Sequence, residues 1–274
     1  MTRNTKKEYI QRIKVDLLVL IFLPIIAAIL TLTMRINLLE STLLYFGLPC
    51  LYLSWRNKDI ILRSLIFAGS FTVISILTDY FAERDQSWTS TSNYSFRFVR
   101  LVPIEALVWV FLFTYLIVAF YQFYFDPKPG KILGKRMPYL YLSVAAVLTW
   151  LFVTTKVDIS SFVINYYYIK FGLIVILLPL LLFSLKFPRY IRIFLVTAPY
   201  FFVLSLVNVL VSLQKGHWHY IGHHFIGWVQ LGSYRFPMEE LLFWMILYSS
   251  FVIAQFEYLN NDSLSKKVIN TKLN

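Results

Sequence analysis

The chain has 274 residues, 58% of them hydrophobic and only 15% charged, with a net charge of +12. That is too apolar for a soluble domain of this length, so a water-soluble enzyme or binding module is excluded. The basic residues fall in loops between apolar runs, which assigns them to membrane topology and removes the nucleic-acid partner such a charge would otherwise suggest.

The polar first 14 residues carry no typical cleavable signal, and the apolar run behind them is long, so it reads as a retained first helix. Eight spans are expected, at residues 15–34, 37–55, 60–80, 98–123, 137–155, 161–185, 191–213 and 234–257. Most approach or exceed the ~20 apolar residues a membrane helix needs. Glu40 and Lys170, one charge each in spans two and six, are expected near a helix end or snorkelling to the interface. Cys50 is the only cysteine, so no disulfide, CxxC zinc site or iron–sulfur site can be built within one chain.

An even number of spans puts both termini on one side. That side gathers 18 Lys and Arg, against 7 on the other (Arg35, Arg84, Arg97, Arg100, Lys156, Lys215 and Arg235). The positive-inside rule then places both termini in the cytoplasm and the chain in the cell (inner) membrane.

The chain also repeats itself. Phe46-Gly47-Leu48 in span two matches Phe171-Gly172-Leu173 in span six. Trp88 lies 15 residues before Pro103, and Trp218 lies 19 before Pro237. Pro103-Ile104-Glu105 opens span four and Pro237-Met238-Glu239-Glu240 opens span eight. The expected fold is all-α, a polytopic membrane helical bundle of about eight transmembrane helices arranged as two four-helix repeats. The repeats cover residues 1–126 and 137–260, with a cytoplasmic linker at 127–136 and a polar tail at 261–274. Their common orientation implies an axis along the membrane normal.

Proline suits the first position of a helix, which would put Glu105 and Glu239 at the third and Glu240 at the fourth. One reading is structural, with glutamate as half of a capping box at the positive helix end. The other is chemical. A carboxyl group in a dry site stays neutral, because burial outweighs the helix dipole, and it can then donate a proton. Pairing with Arg100 or Arg235 would restore the anion. Asp79, at the end of span three, is a second acid or base, or a helix-end residue reaching headgroups. Asn208 has a similar place in span seven. Trp88, Trp218, Tyr220, Phe225 and Trp228 are candidates to stack on an apolar substrate or a passing cation, or to anchor at the interface. His217, His219, His223 and His224 cluster in one loop, read as a polar interfacial loop, with a mononuclear metal site as the geometrically possible alternative.

The duplicated PxE element behind a Trp-containing loop resembles the lycopene cyclase domain of bacterial, archaeal and fungal membrane carotenoid cyclases. The second element, Phe236 to Trp244 (FPMEELLFW), is similar to that family's pattern; the first, Val102 to Leu107 (VPIEAL), has Ala106 in place of the second acid. The resemblance implies an intramolecular isomerisation without a cofactor. A linear polyene end is protonated, a tertiary carbocation forms, a neighbouring double bond closes the ring, and a base removes a proton. It implies Glu239 as the acid, Glu105 as its counterpart, and Glu240 and Asp79 as tuning or relay groups. The partners are a carotenoid or other long apolar polyene and the lipid bilayer; a homo-oligomer is left open. Ala106 puts full activity on lycopene in question. The rival reading is a non-enzymatic carrier or a proton-coupled transporter of an apolar molecule. No Asp-rich diphosphate motif, GxGxxG or P-loop is present.

Overall fold

The structure is a computed structural model that describes residues 3–126, 134–154 and 163–260, without the side chains of residues 3–10 and 12. Most of the expected linker, the whole tail 261–274 and several of the counted basic residues lie outside the described residues.

Eight helical runs follow one another. They are α1 (Arg3–Thr33), α2 (the consecutive segments Leu38–Thr42, Leu43–Gly47 and Leu48–Arg56), α3 (Lys58–Asp85) and α4 (Ile104–Tyr124). Then come α5 (Met137–Thr154), α6 (Tyr167–Lys186), α7 (Pro188–Lys215) and α8 (Glu240–Asn260). Among the described residues seven are long and apolar enough to cross a membrane, which is the signature of an integral membrane protein. The exception, α2, occupies the expected second span but opens on the polar run Glu40-Ser41-Thr42. Glu40 closes a capping box with Asn37 there.

The two helices that carry the PxE elements form the centre. The apolar window of α4 is 78% buried and that of α8 67%, against 39% or less in the other five spans. A helix that is apolar all round is stable only when surrounded, which is how these two sit. They run side by side in the same direction. Thr114 and Tyr248 share a hydrogen bond of 2.9 Å, Tyr121 donates to Glu257 at 2.8 Å, and the Phe113 and Tyr248 rings stack at 5.5 Å. Around this pair, α3 and α2 pack on α4, while α7 and α6 pack on α8. The outer helices cross over: α1 lies against α7, and α5 against α3.

Irregularities recur at matching places. Both α2 and α6 contain a π-helical segment, at Leu43–Gly47 and Gly172–Leu177. Each runs directly into a Leu-Pro pair, Leu48-Pro49 and Leu178-Pro179. Proline supplies no N–H to the helical ladder, and a widened turn absorbs the missing bond. Both α3 and α7 open on a short 3₁₀ turn, Lys58–Ile60 and Pro188–Tyr190. They end on left-handed residues, Gln86 (φ 56°) and Gly216 (φ 67°), each followed two residues later by a tryptophan, Trp88 and Trp218. At the opposite end of the bundle Arg56 grips Asp16 at 2.7 Å, Arg63 faces Asp126 at 3.9 Å, and Tyr190 donates to Glu257 at 2.5 Å.

Three short antiparallel pairs, absent from the sequence expectation, shape the loops. β2 (Arg97–Phe98) pairs with β3 (Val102–Pro103), and β5 (Trp228–Leu231) with β6 (Tyr234–Pro237). β1 (Thr89–Ser90) pairs with β4 (Trp218–His219), joining the two long loops to each other. The strands correct the register of both PxE elements. Pro103 and Pro237 end strands, paired with Arg97 and Trp228, so α4 begins one residue later than expected with Glu105 at its second position, and residues 238 and 239 form the helical lead-in to α8. The fixed proline φ fits an extended residue as well as a first helical turn, and strand pairing decides between them.

The Phe-Gly-Leu triplets also differ in place. Phe46-Gly47 closes its π-helical segment, whereas Phe171-Gly172 precedes or opens the other. A Cβ on Gly172 would lie 2.1 Å from the buried Phe243 ring, so α6 and α8 can approach only over glycine. A Cβ on Gly47 meets nothing nearer than 3.6 Å. Gly172→Ala is therefore expected to destabilise the protein by about 1–3 kcal/mol through overpacking, and Gly47→Ala by much less. Thermal unfolding in detergent micelles checks the difference.

Candidate functional site

The β1–β4 pair closes the loop end of the bundle, with Thr89 opposite His219 and Ser90 opposite Trp218. Beneath it lies a cavity of about 30 Å³ where α3, α4, α7 and α8 converge. Four of the seven tryptophans line it: Trp88, Trp109, Trp218 and Trp244. They meet edge to face, with Trp109 at 6.1 Å from Trp218 and 5.7 Å from Trp244, and Trp88 at 6.0 Å from Trp244. Indole faces attract positive charge, so a wall of four indoles suits a cation.

Two carboxyl groups and an amide share this space: Asp79 from α3, Glu240 from α8 and Asn208 from α7. Trp88 Nε1 donates to Asp79 Oδ1 at 3.2 Å, and Trp109 Nε1 donates to Asn208 Oδ1 at the same distance. Tyr168 donates to Glu240 Oε2 at 2.5 Å, and Tyr220 also hydrogen-bonds this carboxylate. Asp79 Oδ2 is buried without a partner. A buried carboxyl oxygen without a protein partner is costly, and it has free capacity to meet a ligand or exchange a proton.

Glu105 and Glu239 lie elsewhere. Both are fully or almost fully buried, at 1% and 0% exposure, yet neither lines the cavity. Glu105 accepts from the Ser92 hydroxyl at 2.9 Å and from the Asn93 backbone N–H at 3.0 Å. Glu239 accepts from the Ile226 N–H at 2.7 Å, and its Oε2 has no partner. The two leading glutamates therefore do the same job, each pinning the loop before its own helix. The following position is the one that faces the cavity, held by Glu240 in α8 and by Ala106 in α4. Arg100 is exposed, and Arg235 lies 4.0 Å over the Trp228 ring, so neither arginine pairs with these glutamates.

Of the aromatic candidates, Trp88, Trp218 and Tyr220 line the cavity, while Phe225 and Trp228 pack on each other at 5.0 Å outside it. The histidines are dispersed. His224 pairs with Asp85 at 2.7 Å, His217 Nε2 lies 3.2 Å from the Ile36 carbonyl, and His219 and His223 are exposed. Among the described residues no group of three or more His, Cys, Asp or Glu could hold a metal ion. Asp85 also accepts from Ser87 and from the Tyr167 N–H, which ties the loop end of α3 to the start of α6.

Sequence reasoning missed Tyr168, Trp109 and Trp244 as parts of the site. Trp109 lies four residues after the leading glutamate Glu105 and Trp244 five after Glu239, so no common spacing marked them in the sequence. Nothing in Tyr166-Tyr167-Tyr168 marks the third as the one that reaches Glu240. No family model, curated protein or solved structure matches the chain.

Burial holds His217 below the ordinary imidazole value of 6.5, with Lys215 adding to the effect and the Ile36 carbonyl opposing it. The neutral ring is the folded form, so the unfolded chain binds the extra proton as pH falls below about 6.5. Stability is expected to be level above that pH and to decline below it. His217→Gln should flatten part of the decline, as read from melting temperatures between pH 5 and 8.

Proposed function

We propose that the chain is a membrane-embedded cyclase of linear isoprenoid polyene ends, of the carotenoid (lycopene) type. The observation that carries the reading is the placing of two carboxyl groups, Asp79 and Glu240, in one buried cavity walled by four indoles. The resemblance of both PxE elements to the lycopene cyclase domain points the same way.

The proposed architecture is eight membrane spans in two four-helix repeats, with α2 counted as the eighth and both termini cytoplasmic in the cell membrane. Support comes from the paired π-helical segments, the paired left-handed caps and the reciprocal packing of α1 on α7 and α5 on α3. The pair Thr89–His219 then lies on the axis, since the two residues are separated by the same 130 positions that separate Gln86 from Gly216.

In the reaction, one carboxyl group protonates the terminal double bond and leaves a tertiary carbocation. The next double bond in reach attacks that carbon, a carbon–carbon bond closes the ring, and the charge moves to a ring carbon. Loss of a neighbouring proton to a carboxylate restores a double bond. One proton enters and one leaves, so nothing is oxidised or reduced. The indole faces suit the cationic intermediates, and the dry wall denies them water that would otherwise trap them as alcohols. Glu240, which accepts from two phenols, is assigned the part of base. Asp79, with one oxygen unpartnered, serves as the proton donor. Glu105 and Glu239 act as loop anchors that keep Trp88, Trp218 and Tyr220 in place. A proton-coupled carrier, the rival reading, requires a water-lined path to its acids, whereas indoles wall these.

Expression in a lycopene-producing bacterium followed by pigment chromatography tests the proposal. A cyclised product is expected, and unchanged lycopene beside well-expressed protein would contradict it. Asp79→Asn and Glu240→Gln should each lower product by at least about 100-fold, the scale of general acid–base catalysis. Glu105→Gln should retain product while lowering the melting temperature. Full activity in Glu240→Gln would remove that residue from the chemistry.

A further inference from the structure

A lipid-facing groove of about 370 Å³ runs between α3, α5, α6 and α8. It meets the acid cavity at Trp244, which lines both, and Thr78 of the groove is the chain neighbour of Asp79 in the cavity. From Trp244 the groove follows α8 to Leu259, a length of about 22 Å at the usual helical rise. Its walls are mostly apolar and aromatic, with Phe71, Tyr139, Phe171 and Phe251 among them.

A second groove, of about 590 Å³, occupies the corresponding position between α1, α4 and α7. It shares no lining residue with the cavity. Phe113 and Phe201, both fully buried and 6.1 Å apart, fill the space between. Position 110, which corresponds to Trp244 when Ala106 is set against Glu240, is a valine that lines the cavity alone. The two openings to lipid are thus unequal, and the one that reaches the acids belongs to the helix that has kept Glu240.

The geometry points to the groove along α8 as the seat of the unreacted length of a linear C40 polyene, entered from the bilayer. The reacting end passes Trp244 to Asp79 and Glu240, and only one end is held at a time. This rests on the cyclase reading for the identity of the occupant. The cavity has volume for only about two waters, so an end group enters when the Trp244 indole swings toward the groove.

Binding separates this inference from the chemistry. The Glu240→Gln protein, expected to be silent in turnover, is placed in lipid nanodiscs and titrated with lycopene as probe. Induced circular dichroism of the polyene band reports the protein-bound fraction. Val175→Trp and Ser143→Trp, at exposed positions of the groove wall, should each weaken binding at least tenfold. Val203→Trp, exposed in the second groove, should leave it unchanged. Loss only in Val203→Trp, equal binding in all three, or no induced signal in any protein overturns the inference. The expected binding pattern together with no ring formation in cells would overturn the cyclase reading and leave the groove standing.

Discussion

The cost of placing carboxyl groups inside a membrane bundle governs this structure. Asp79 and Glu240 are buried, and each is tolerable only because a neighbouring segment supplies donors. The donors come from separate parts of the chain: Trp88 from the first long loop, Tyr220 from the second and Tyr168 from the start of α6. The site therefore exists only when α3, α6, α8 and both loops are assembled. The same constraint explains the leading glutamates. Glu105 and Glu239 sit at helix starts and each accepts from its own loop, Glu105 from Ser92 and Asn93 and Glu239 through one oxygen from Ile226, which fixes the loops that carry Trp88, Trp218 and Tyr220.

Symmetry and its failure are both informative. In the proposed two-repeat architecture the halves share caps, π-helical segments and loop anchors, and the β1–β4 pair joins them. They part at the position after the anchoring glutamate. Glu240 brings an acid into the cavity, and Ala106 brings none. The π-helical segment Glu240–Leu247 begins at that same residue, and α4 has no counterpart to it. Such segments concentrate at functional sites because they rotate side chains out of the ordinary helical register. In the proposed account one half supplies Glu240 and the other Asp79, so the single cavity depends on both.

Much of the fold was legible in the sequence because hydropathy writes membrane helices directly. All eight helical runs lie where apolar runs predict them, and the two central helices are the ones marked by PxE. Which glutamate faces the cavity was not legible. Glu239 and Glu240 are neighbours on one helix, and neighbours point about 100° apart, so a one-residue shift in where the helix begins exchanges their roles. That start was set by the strand pairing of Pro237 with Trp228, a contact that no local pattern announces. The match between the two Phe-Gly-Leu triplets was out of register for a related reason: the π-helical segments, which local hydropathy does not reveal, place the two glycines differently. Trp109 and Trp244 share no spacing from their leading glutamates, and Tyr168 depended on how α6 packs against α8.

The central claim is that protonation by a buried carboxyl group, followed by proton return, forms the ring. Running the reaction in deuterium oxide tests it most directly. Mass spectrometry of the cyclised pigment should show one solvent deuterium retained for each ring formed, because the incoming proton stays on carbon while a different one leaves. A ring product carrying no deuterium would contradict the account.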